Sequence, residues 1–276
     1  MFDFFKYQSL GNDFIVLDFL NKTNAYIDVF LNPQKWPALA KKLCDRHFGI
    51  GADGILIIRY REKREIEALL YNADGSSGFF CLNGLRCIAH YLVTQRNQAA
   101  SLSMIMNKKI ITAQVKKTGQ VVNVSLSLPK PHYQGMQVLT IHRKKITGHI
   151  VDAGNPHFVI FDEIDPSWLA QYGHKIESNP FFPQKTNVEF IWPDTTSSTP
   201  TYHLLVFERG CGMTLACGSG AAAAMTALAE QGEIKPGKTV TFKMQGGDLG
   251  SFIDAEGRLY QEALTQFIFK GNYKLD

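Results

Sequence analysis

The feature that most constrains this chain is an internal echo. Gly11-Asn12-Asp13-Phe14-Ile15-Val16-Leu17-Asp18 is matched by Gly154-Asn155-Pro156-His157-Phe158-Val159-Ile160-Phe161-Asp162. Each reads Gly-Asn, then an apolar strand, then Asp. Later in each half a Gly-rich turn with a cysteine leads into a helix, Cys81-Leu82-Asn83-Gly84-Leu85-Arg86-Cys87 and Cys217-Gly218-Ser219-Gly220-Ala221-Ala222. Cys81 follows Asn12 by 69 positions and Cys217 follows Asn155 by 62, so order and spacing both repeat. Two related halves are expected.

Between these marks the period is mostly two. Val122, Val124, Leu126 and Leu128 alternate with Asn123, Ser125 and Ser127, which predicts a strand with one buried face. Residues 55–60, 66–72, 110–116, 204–208 and 240–244 read the same way. Helices are expected at 37–43, 84–94 and 219–230. The fold class is therefore α/β, with two pseudo-symmetric sheet-rich halves, each wrapped around a central helix. The N-terminal half is expected at 1–118 with segment 263–276 returning to it, and the C-terminal half at 119–262.

At 276 residues with 45% hydrophobic and 20% charged, the chain is long enough for two packed units and is not a disordered or fibrous sequence. A net charge of +4 is weak, and its densest basic run, Arg143-Lys144-Lys145, reads as a solvated loop rather than a nucleic-acid patch. Asp3, Lys6 and Asp13 interrupt any apolar leader, so a cytoplasmic protein is expected. Gly210 to Ala229 carries no charge over 20 positions. Its side chains are too small for a membrane span, and it reads as a loop entering a tightly packed helix.

Five cysteines in a long chain do not suggest a disulfide framework. Cys81 and Cys87 share a C-x5-C spacing with Cys211 and Cys217, but on a helix six residues turn roughly 240°, so the first pair could not chelate one ion. No metal is expected. Cys81 and Cys217 instead stand at predicted helix starts, where unpaired N–H groups would lower the thiol pKa and hold a carboxylate. Two such ends facing each other would grip one carboxylate and place a sulfur on either side of the adjacent carbon. That arrangement suits inversion of an amino-acid α-carbon, one thiolate acting as base and one thiol as acid, without a cofactor. Either cysteine alone would read as a buried small hydrophobe; the duplication favours the chemical reading, while Cys44, Cys87 and Cys211 keep the structural one.

Asn72-Ala73-Asp74-Gly75-Ser76 with the Cys81–Cys87 turn, and Glu208-Arg209-Gly210 with Ala216-Cys217-Gly218-Ser219-Gly220, resemble the two signatures of the diaminopimelate epimerases. Gly11-Asn12-Asp13-Phe14, Asp45-Arg46, Gly49-Ile50-Gly51-Ala52-Asp53-Gly54, Gly154-Asn155-Pro156-His157 and Thr186-Asn187-Val188 follow in family order. The resemblance implies cofactor-independent conversion of LL- to meso-diaminopimelate, on the route to lysine and peptidoglycan cross-links, by a homodimer. It implies Cys81 and Cys217 as the acid/base pair. Asn12, Asn72, Asn155, Asn187, Glu208 and Arg209 would hold substrate, with His157 beside the reacting centre and Asn83, Gly84, Gly218 and Ser219 lining the helix starts. Arg209 suits a distal carboxylate and Glu208 an ammonium. Leu82, Met213 and Glu262-Ala263-Leu264 depart from the family's Gly, Glu and Gly-Pro-Ala, and Leu82 would narrow the approach to the helix. A related racemase acting on another amino acid, and an inactive binding homologue, remain as alternatives.

Overall fold

The computed structural model describes residues 1–20, 32, 34–235 and 237–274. Two compact units divide the chain, Met1–Leu126 with Ala263–Asp276, and Ser127–Glu262. The first begins with β1 (Phe2–Ser9) and β2 (Asn12–Asp18), followed by α1 (Trp36–Cys44), β3 (Gly54–Tyr60), β4 (Ile66–Asn72) and the short β5 (Ser77–Gly78). Then come α2 (Leu82–Arg96), β6 (Ser101–Met106), β7 (Lys109–Thr118) and β8 (Val121–Leu128). The division falls inside β8, not at the turn before it.

The second unit holds β9 (His132–Ile141), β10 (Lys144–Asp152), β11 (Pro156–Phe161), α3 (Pro166–Glu177), β12 (Asn187–Pro193) and β13 (Thr201–Glu208). After them come β14 (Gly212–Met213), α4 (Gly218–Glu230), β15 (Val240–Met244), β16 (Gly247–Ile253) and the start of β17 (Leu259–Tyr273), which from Ala263 on belongs to the first unit. Strand pairing repeats between the units step for step. β1–β2 and β10–β11 are antiparallel, β2–β3 and β11–β12 parallel, β3–β4 and β12–β13 antiparallel. β4–β6 and β13–β15 are parallel across a helix, and β6–β7 and β15–β16 antiparallel. β9 pairs antiparallel with β10 as the later part of β17 does with β1. The sequence echo is thus a structural duplication.

Each sheet has two buried faces. In the first unit Ile15, Leu17, Ile55 and Ile57 pack with Trp36, Ala40 and Leu43 of α1. The alternate residues turn the other way, as the period of two requires; Leu56 meets α2 at Gly84. In the second unit Phe158, Ile160, Val188, Phe190 and Phe207 pack with Leu169 and Ile176 of α3. α2 touches β1, β2, β3, β4 and β7, and α4 touches β9, β10, β11, β12 and β16. Consecutive buried residues from Leu82 to Leu92 and from Gly220 to Leu228 mark both as central helices enclosed on all sides.

Three local differences from the sequence reading have plain causes. α3 was absent from the expected helices, and Gly173 within it is the reason: a helix-breaking residue by propensity, it sits where a Cβ would fall 2.5 Å from the Phe207 ring. Arg143 does lie in a turn, but Lys144 and Lys145 open β10, because a two-residue hairpin at His142-Arg143 closes β9 on β10. The uncharged 210–229 run is helical only from Gly218 on, in a helix that ends at Glu230, and among the described residues no helix is long and apolar enough to cross a membrane.

Candidate active site

Each central helix opens on a cysteine. Cys81 is the N-cap of α2, with extended backbone, and its sulfur accepts from Gly84 N–H at 3.4 Å. Cys217 is the N-cap of α4, again extended, and accepts from Gly220 N–H at 3.3 Å. A side chain that bonds the N–H three residues on satisfies one of the four orphan donors of a helix start, the usual work of Ser or Asp. Here a thiol does it twice, at equivalent places in a duplicated fold.

In the first unit the Cys81 thiol donates to Asn12 Oδ1 at 3.6 Å. Asn12 is oriented from behind, since its Nδ2 donates to Asp53 Oδ2 at 2.6 Å. Arg46 bridges Asp53 and Asp13, and Lys6 reaches Asp13 at 2.6 Å. Burial opposes ionisation of Asp13, but Arg46 and Lys6 outweigh it and hold its carboxyl at about 2. This ionic network locks the amide whose oxygen meets the thiol. Asn72 ends β4, its Nδ2 donating to Ser76 Oγ at 2.9 Å across the turn that follows. Asn83 is buried and accepts from Arg86 Nη1 at 2.9 Å, so its side chain serves the helix. Leu82 is buried as well, and so its side chain belongs to the packed interior.

In the second unit Glu208 ends β13 and Arg209 opens the turn after it. Glu208 turns inward, accepts from Thr214 Oγ1 at 2.6 Å, and stands next to Cys217. Arg209 is exposed, its Nη1 donating to the Gln184 carbonyl at 3.0 Å and its backbone N–H to Asn187 Oδ1 at 3.0 Å. Asn187 Nδ2 donates in turn to the Pro156 carbonyl at 2.9 Å, tying β12 to the start of β11. His157 is fully buried between Glu189 Oε1, 2.7 Å from Nδ1, and Asn155 Oδ1, 3.1 Å from Nε2. Ser219 Oγ lies 3.4 Å from the Cys217 sulfur, and the Gly218 carbonyl accepts from Gln261 at 2.9 Å. Met213 packs against the aromatic cluster of α3.

One expectation is overturned. A helix start should lower a thiol pKa, yet burial pushes Cys217 well above its ordinary value, and the carboxylates of Glu208 and Glu189 push the same way. The helix N–H and Ser219 only partly offset them. Cys217 therefore rests as a thiol, poised to give up a proton rather than to take one. Burial also raises the Glu208 carboxyl.

Sequence reasoning named Asn12, Glu208 and Ser219 as substrate-holding residues, with Glu208 at a distal ammonium; the structure sets Asn12 against Cys81, and Glu208 and Ser219 against Cys217. Sequence reasoning assigned no role to Asp13, Arg46, Asp53, Thr214 or Glu189. The signal for Glu189 was present: an acid inside the run Val188, Phe190, Ile191, Trp192, where charge is rare unless paired.

Comparison with known proteins covers both halves. The diaminopimelate epimerase family model matches residues 4–129 and 149–266. The chain is 35% identical to diaminopimelate epimerase of Carboxydothermus hydrogenoformans over 99% of this chain and 100% of that one. It is 36% identical to the Halothermothrix orenii protein of that name over 89% of each. Among solved structures, a probable proline racemase from Agrobacterium radiobacter K84 superposes with TM-score 0.74 at 11% identity, over 100% of this chain and 94% of that one. A hydroxyproline epimerase from Agrobacterium vitis gives TM-score 0.69 at 12% identity, over 98% and 91%. These last two share the fold. Since both cysteine turns lie inside the matched segments and full-length relatives exceed 30% identity, the chain belongs to the diaminopimelate epimerase family.

Proposed function

We propose that this chain converts LL-diaminopimelate to meso-diaminopimelate by inverting one α-carbon with two thiols, Cys81 and Cys217. The observation that carries this reading is the pair of cysteine N-caps on duplicated central helices. One sulfur, as thiolate, takes the α-proton; the other, as thiol, delivers a proton to the opposite face. The raised pKa of Cys217 suits it to the acid role when LL-substrate arrives, and the roles exchange in the reverse direction. N–H groups of the helix starts at Asn83, Gly218 and Ser219 hold the α-carboxylate and take up the charge that builds on it, while Gly84 N–H steadies the Cys81 sulfur, so the thiols and backbone donors need no cofactor.

Asn12, Asn72, Asn155 and Asn187 supply the polar contacts around the substrate, and exposed Arg209 reads the distal carboxylate as a charge-assisted pair. Inward-turned Glu208, beside Cys217, serves the reacting centre with His157 in place of the distal ammonium first expected for it. The product feeds lysine and peptidoglycan synthesis. Thiol chemistry of this kind fits a reducing cytoplasm. A homodimer is favoured by Leu264, Phe267, Ile268 and Phe269, large apolar side chains left exposed along β17. Incubation with LL-diaminopimelate in deuterated water tests the reading. Loss of the α-proton signal with appearance of the meso form is expected, and a substrate that keeps both proton and configuration would refute it.

A further inference from the structure

A carboxylate stands in the second unit where packing alone would favour hydrocarbon. Glu189, in the middle of β12, is fully buried and pairs across the sheet with Val159 and Val206. Its Oε1 lies 2.7 Å from His157 Nδ1, and its Oε2 has no hydrogen-bond partner among the described residues. Burying a half-satisfied carboxylate is costly, and an apolar side chain of similar size is often as stable or more so. Fold stability is therefore a poor reason for an acid here. The helix start is also shaped around it: a Cβ on Gly220 would come within 2.7 Å of Oε1.

Counting protons gives the role. Both ring nitrogens of His157 face oxygen atoms, Nε2 the amide oxygen of Asn155 and Nδ1 the carboxyl of Glu189, and an amide oxygen and a carboxylate both accept. Resting on the function proposed above, we propose that Glu189 is a positioning residue that holds His157 as a doubly protonated ring. Nε2–H then fixes Asn155 with its oxygen turned inward, leaving Asn155 Nδ2 as a donor toward the substrate. The ring's positive charge stands near Glu208, itself beside Cys217, and offsets the negative charge that forms when the thiol releases its proton.

The test uses the full-length protein labelled with 15N-histidine, the His157 signals being identified by their loss in His157→Asn. In the wild type both ring nitrogens should report as N–H, with the Nδ1 proton far downfield. In Glu189→Gln that proton should vanish and one ring nitrogen should become bare. With LL-diaminopimelate as substrate, kcat of Glu189→Gln should fall on the order of 10- to 100-fold, the scale of losing a preorganised charge, while KM stays within about twofold. Glu189→Asp, which keeps the carboxylate, should regain part of both the downfield proton and kcat. A wild-type His157 with one bare nitrogen overturns the inference, whatever the variants do. So does Glu189→Gln with wild-type kcat, or with only a lower melting temperature. A doubly protonated ring in a wild type that does not turn over diaminopimelate upholds the positioning role and refutes the substrate assignment instead.

Discussion

Gly220→Ala should damage this protein far more than a single methyl suggests. Gly220 is the third residue of α4, and its N–H bonds the Cys217 sulfur at 3.3 Å. An added Cβ would lie 2.7 Å from Glu189 Oε1, 3.0 Å from Cγ and 3.2 Å from Cδ. All three atoms belong to one fully buried side chain that cannot swing into solvent. Overpacking costs about 1–3 kcal/mol, and breaking the charged bond from Glu189 to His157 about 1.5–3 kcal/mol more. Alanine's better helix propensity returns only about 0.5–1 kcal/mol. The net loss is about 2–5 kcal/mol, which at roughly 2–4 °C per kcal/mol lowers the melting transition by about 5–15 °C. Scanning calorimetry of the full chain reads it, with Gly250→Ala as control. There the nearest atoms are 3.7 and 3.8 Å away, ordinary contact, so a change within about 0.5 kcal/mol is expected. A Gly220→Ala protein that melts with the wild type and keeps its activity would refute the claim that α4 is fitted to the Glu189 carboxylate.

Arg209→Ala should cut kcat/KM by about 10-fold or more, because a hydrogen bond to a charged group contributes about 1.5–3 kcal/mol at about 1.4 kcal/mol per decade. The melting temperature should hold, since the side chain is exposed; a loss within twofold would make Arg209 a solvated charge. Burial, helped by Lys117, lowers His90 from 6.5 to about 4. The folded chain thus keeps the ring neutral while the unfolded chain takes up a proton first, and stability complete above pH 6.5 should fall by about 3 kcal/mol as pH drops toward 4. Urea midpoints at pH 7, 5 and 4 check this, and His90→Gln should flatten the slope.

The duplication was legible because it lies in chain order: the Gly-Asn strands, the cysteine turns and their spacing survive in the sequence. Strands that alternate cleanly were legible for the same reason, 66–72 and 240–244 coinciding with β4 and β15 to the residue. α3 was hidden by Gly173, whose cause is the Phe207 ring on a strand thirty-odd residues later. The thiol environment was hidden likewise. Helix-start physics argues for a lowered pKa at Cys217, but burial raises it, and so do Glu208 and Glu189, whose charges only the folded strands β13 and β12 bring to the sulfur. The lock on Asn12 has the same character, with Asp53 arriving through the parallel pairing of β2 with β3. Sequence pattern located the functional groups; long-range pairing set their electrostatics.

The most direct test of the two-thiol reading is serine substitution at each N-cap, followed by exchange with LL-diaminopimelate in deuterated water. Serine is among the best N-caps, so Cys81→Ser and Cys217→Ser should both keep the bond from Gly84 or Gly220 and melt within about 1 kcal/mol of the wild type. A hydroxyl is a far weaker acid than a thiol, and loss of a positioned acid or base costs on the order of 10²- to 10⁴-fold. Both folded variants should therefore lose epimerisation by at least about 10²-fold. Exchange on a single face can persist in one of them through the remaining thiol. Near-normal conversion to the meso form by either serine variant would contradict the two-thiol account.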